Sequence, residues 1–150
     1  MKVLTAVLRL YCLQIFAFLA ISLSTYFPGW DLILSGVYLV VLTVESRLHS
    51  GLGLREKFLV LMAWQGGALF LAFYVWQGWT FWGLCDYGIF ALQFWSAPLL
   101  PWWALIHIPL SSRFPCYYYL VLITPLLLSV WYFLISWPTT QKSAGYCLKY

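Results

Sequence analysis

From Leu10 to Trp30 the chain carries no charged side chain, and that run is long enough to cross a bilayer as one helix. A hydrocarbon core about 30 Å thick needs roughly 20 apolar residues rising about 1.5 Å each. Inside lipid, only a helix or a closed barrel satisfies every backbone N–H and C=O group. Similar runs recur along the whole sequence. Hydrophobic residues make up 64% of the 150 and charged residues 8%, against about 25% charged in a soluble domain. Mean hydropathy is +0.87. A soluble domain of this length buries only about 70% of its unfolded surface, so the natural solvent for this much apolar surface is lipid. The sequence predicts an all-α fold, a polytopic transmembrane helix bundle forming a single integral-membrane domain over residues 1–150.

Charges and turn residues divide the chain into five expected spans, at residues 3–24, 30–45, 58–77, 80–100 and 117–137. Lys2 and Arg9 begin the first, where their stems can snorkel to the headgroups. Arg9 interrupts the opening apolar run and no clear small-x-small cleavage site follows, so the segment reads as a retained span, not a signal peptide. A Tyr26–Gly29 turn ends it, since proline cannot continue a helix and glycine opens the turn. The second span is the shortest, with Asp31 and Glu45 at its ends, and Ser46–Lys57 reads as a hydrophilic connection. Pro98 and Pro101 bracket a break. Trp102 and Trp103 are expected at a membrane surface, with Ala104–Pro115 as an interfacial connection. A rival arrangement makes Trp79–Ser112 a re-entrant hairpin, leaving four spans.

Lys and Arg counts in short loops set orientation. A cytoplasmic N-terminus and five spans place Lys2, Arg9, Arg47, Arg55, Lys57 and Arg113 inside, with Lys142 and Lys149 outside. The re-entrant arrangement returns the tail inside and gives seven against one. Cys12, Cys85, Cys116 and Cys147 form no C-x-x-C pair, which argues against a zinc ribbon or a thiol oxidoreductase. With five spans, Cys85 and Cys147 are the pair an oxidising compartment could join; two free thiols are the simpler expectation.

Polar side chains at membrane depth turn toward each other or toward a partner. Helical spacing puts Asp31, Ser35, Tyr38 and Glu45 near one face, and Asp86, Gln93 and Ser96 near another; Gln14 and Gln65 add single amides. The simpler reading is interhelical bonding, worth about 0.6 kcal/mol per contact. The sharper reading is a ligand pocket centred on Asp86, with Gln93, Gln65 and Trp95 as further contacts. Ala63 with Gly67, and Ala68 with Ala72, have the small-xxx-small spacing of close helix packing. Trp64, Trp76 and Trp95 stand away from the expected aromatic belts.

Glu45 and His49 are four residues apart, as in some helical metal sites. A third ligand would have to be His107, Glu56 or Cys116, and interfacial polar residues are the simpler reading. No metal site and no cofactor are expected. No nucleophile elbow, Gly-rich phosphate cradle or basic nucleic-acid stripe occurs. No catalytic residues are assigned.

Length, span count and tryptophan content resemble those of small five-helix membrane proteins that bind lipophilic ligands, including the translocator-protein group. No run matches that group's proline-and-tryptophan loop motif, so the resemblance is one of architecture. The expected function is a non-catalytic subunit or accessory protein packing against a larger membrane partner. The alternatives are a carrier or receptor for a lipophilic or cationic ligand, and an intramembrane enzyme using Glu45, His49 and His107. Expected partners are membrane lipid and a protein partner or second copy, with no nucleic acid.

Overall fold

A computed structural model describes residues 2–24, 26–27, 29–78, 84–106 and 116–137. Among them the chain is all-helical: α1 Lys2–Ser24, α2 Trp30–Leu48, α3 Leu54–Gly78, α4 Leu84–Ser96, α5 Leu100–Ala104 and α6 Cys116–Ser136. Single 3-10 turns at His49–Gly51 and Ala97–Leu99 follow α2 and α4. Four helices (α1, α2, α3 and α6) are long and apolar enough to cross a membrane. The five-span count is not confirmed.

The helix ends follow local chemistry. Gly29 takes the left-handed conformation at φ 92°, open to glycine at little cost, and α2 begins at the next residue. The third helix starts four residues before the expected span. Glu56 accepts the Gly53 N–H at 3.0 Å, a side-chain acceptor for an orphan donor at a helix start. Lys57, expected in a solvated connection, is instead 4% exposed and donates from Nζ to the Ser136 carbonyl at the end of α6. A cation suits the negative end of that helix.

Contacts between elements give the helix directions. Arg9 near the start of α1 lies 3.8 Å from Glu45 near the end of α2. Tyr132 near the end of α6 meets His49 at 3.2 Å, and Lys57 at the start of α3 meets Ser136. So α1 and α3 rise from one end of the bundle, and α2 and α6 descend to it. Every described Lys and Arg (Lys2, Arg9, Arg47, Arg55 and Lys57) belongs to this basic end. One apolar cluster, with Leu10, Leu42, Val60, Trp64, Leu128 and Tyr132, fills the basic half. A second, with Ala68, Val75, Leu92, Val121 and Leu122, joins α3, α4 and α6.

The segment expected to form a fourth span at 80–100 is described from Leu84 onward and is broken near its end. Its helix is described over the 13 residues Leu84–Ser96. It stops at Ser96, because Pro98 and Pro101 cannot supply the next helical N–H groups. The break packs against two long helices: Gln14 Nε2 at the middle of α1 donates to the Trp95 carbonyl, and Ser35 Oγ in the second turn of α2 donates to the Pro98 carbonyl. Trp103, expected at a membrane surface, turns inward and donates from Nε1 to Thr124 Oγ1 of α6 at 2.8 Å. Irregular backbone at this depth is tolerated only when buried in protein, and here Pro98 and Ser35 are both buried.

Candidate functional site

The end of the bundle away from the basic residues holds a cavity of about 440 Å³. Phe18 of α1, Phe90 and Phe94 of α4, and Leu100 of α5 supply apolar wall; Asp31 of α2 and Gln93 of α4 supply polar groups. The broken α4–α5 segment shapes the space: Ala97 and Pro101 line it on either side of the turn, and both are buried. Phe18 and Phe94 hold each other with ring centroids 3.9 Å apart and planes tilted by 40°. Tyr117, in the first turn of α6, closes another side. Asp31 Oδ1 accepts the Leu32 N–H at 3.0 Å, and among the described residues no cation pairs with its carboxylate. A mostly apolar cavity with few convergent polar groups is the usual form of a small-molecule site.

Of the described residues expected to bind a ligand, only Gln93 lines this cavity. Gln65 and Trp95 lie together elsewhere: Trp95 Nε1 donates to Gln65 Oε1 at 3.0 Å. Tyr38 Oη donates to Gln14 Oε1 at 2.6 Å, and Gln14 carries the chain on to Trp95. These four residues form a closed polar layer at mid-bundle, since Gln14, Tyr38 and Gln65 are all buried. Gln65 Nε2 and the neighbouring Trp64 Nε1 have no hydrogen-bond partner there. Asp86 belongs to the first turn of α4, about two helical turns before Gln93; its side chain lies outside the described residues.

The small-residue pairs part company. Ala68 is buried in the α3–α4–α6 cluster with Ala72 packed against it, whereas Ala63 and Gly67 are exposed on the outer surface of α3. Glu45 and His49 do sit at one end, but Cys116 opens α6 at the other and Glu56 is bonded to Gly53. Among the described residues no three His, Cys, Asp or Glu side chains converge. His107 and Cys147 lie outside the described residues, as does the side chain of Cys85.

Asp31 was legible as a charged helix end and Gln93 as a polar interior residue. Phe18 and Tyr117 were not, because an aromatic in an apolar run, or in a tyrosine triplet at a span end, carries no mark of the cavity it lines. Comparison with protein-family models, with curated proteins and with solved structures finds no significant match.

Proposed function

We propose that this chain is a four-span membrane protein with a re-entrant α4–α5 segment, its basic end cytoplasmic, and that the outer cavity binds an amphipathic cation. The observation that carries this reading is the cavity of about 440 Å³ with Asp31 and Gln93 set among Phe18, Phe90, Phe94 and Leu100. Its volume falls within the roughly 300–1,000 Å³ common to ligand pockets. Among the described residues no cation pairs with Asp31, which favours a positively charged head, and aromatic faces attract cations as well as apolar bodies. Broken helices at membrane depth line the binding sites of many transporters for the same reason: freed backbone needs protein around it. Five basic residues at one end match the excess of Lys and Arg found in cytoplasmic loops.

The test is saturable binding of decylammonium by the protein in nanodiscs of zwitterionic lipid, with empty discs as background. Decanol and decanoate are neutral and anionic controls of equal chain length. Binding of the ammonium alone, reduced at least about tenfold by Asp31→Asn and weakened by Gln93→Leu, is the expected result. Equal binding of decanol, or an unchanged affinity in Asp31→Asn, overturns it.

A second reading, an accessory subunit docking through α3, draws on the outward-facing Ala63 and Gly67, flanked by exposed Phe70. A Cβ at Gly67 meets nothing within 4 Å, so a side chain can start there without displacing a neighbour, and the unfolding midpoint of Gly67→Leu checks that the fold is kept. Loss of a copurifying partner or of an oligomer on a native gel supports docking there; an unchanged complex removes that reading.

A further inference from the structure

A second feature lies between α1 and α2, on a different side of the molecule from the cavity above. At the basic end a cleft of about 440 Å³ is lined by Lys2, Thr5, Arg9 and His49 among others. Further along the same two helices an apolar groove of about 470 Å³ is lined by Cys12, Phe16, Ala20, Leu34 and Val37 among others. The two lie one after the other along the same pair of helices. On α1 the lining residues Lys2, Thr5, Arg9, Cys12, Phe16 and Ala20 follow one another at three- and four-residue steps, which keeps them on one helical face. On α2, Leu34, Val37 and Val41 do the same, and Leu48 follows seven residues, about two turns, further on.

We infer that cleft and groove together bind one anionic phospholipid, its phosphate against Lys2 and Arg9 and an acyl chain along the groove. The charge fits a phosphate. The Arg9–Glu45 contact is 3.8 Å, an ion pair too long to be a hydrogen bond, and the Arg9 side chain is 56% exposed. Its donors remain available for phosphate oxygens, which guanidinium binds through two parallel bonds. Lys2 has no ion-pair partner among the described residues. The length fits a chain in one leaflet: Arg9 to Ala20 covers about 16 Å of helix axis, half of a 30 Å hydrocarbon core. The groove exists because Ala17 and Ala20 are small where Phe16 and Val41 stand tall on either side. Glu45 keeps Arg9 in place while leaving the cleft net positive.

The experiment places the full chain in nanodiscs of equimolar phosphatidylglycerol and phosphatidylcholine, extracts it in mild detergent, and counts retained lipids by native mass spectrometry. One phosphatidylglycerol is expected, favoured at least about fivefold over phosphatidylcholine. The Lys2→Gln/Arg9→Gln variant should bring the ratio near parity. Arg55→Gln, which removes a charge at the same end but outside the cleft, should leave it unchanged. Ala20→Phe, filling the groove without altering charge, should cut retention of both lipids. Glycerol phosphate, the headgroup chemistry without chains, should fail to displace the lipid. Equal retention of the two lipids by the unmodified chain overturns the inference without need of any variant. So does a loss in Arg55→Gln matching that of the double variant, full retention in Ala20→Phe, or displacement by glycerol phosphate.

Discussion

Gln14 makes two interhelical contacts at once, accepting from Tyr38 Oη and donating to the Trp95 carbonyl. It stands at mid-length of α1, 3% exposed, where water cannot replace either bond. The carbonyl it caps belongs to the last turn of α4, where the prolines interrupt the ladder. Gln14→Leu therefore strands a buried hydroxyl and a half-buried carbonyl together. The expected cost is about 1–2 kcal/mol, above the membrane average of about 0.6 for a single interhelical bond. It is read as a lower unfolding midpoint in mixed detergent. The next residue, Ile15, is exposed and serves as the control: Ile15→Val should leave the midpoint unchanged. The sequence marked Gln14 as an interior polar residue. It could not name the carbonyl, because a backbone group exposes itself only once the helix above it has stopped.

The α4 helix is fixed at its near side by contact with α3. A Cβ built at Gly88 would fall 2.6 Å from Val75 Cγ2, and Val75 is fully buried, so neither side chain has room to yield. Gly88→Ala should push α4 from α3 at a cost of about 1–3 kcal/mol, seen as a lower unfolding midpoint. Gly67→Ala, in open space on α3, should gain up to about 1 kcal/mol from helix propensity. A reversed order of the two would show that α4 does not pack where the structure has it. The spacing of small residues pointed to Gly67, yet the glycine that matters for packing is Gly88. Spacing reports which residues share a face, and the neighbour of that face is decided by how the helices assemble.

At the scale of the whole molecule, the directions of α1, α2, α3 and α6 bring Lys2 and Trp137 to the same end. A variant retaining Cys147 as its sole cysteine reports the side on which the tail lies. With four spans and a re-entrant segment, a membrane-impermeant maleimide labels it in intact cells only after permeabilisation. Labelling from outside restores the five-span arrangement. The sequence by itself determined that this chain is helical and suited to lipid, and it located the ends of α1, α2 and α6 within a few residues. Those properties follow from side-chain transfer to lipid and from local backbone limits at glycine and proline, which act residue by residue. Only the tertiary structure decided that α4 stops at mid-bundle, that Lys57 caps α6, and that Asp31 and Gln93 share one cavity while Gln65 and Trp95 bond to each other. Each of these depends on which distant carbonyl or side chain lies opposite, and apolar periodicity, nearly uniform around helices made for lipid, carries little record of that choice.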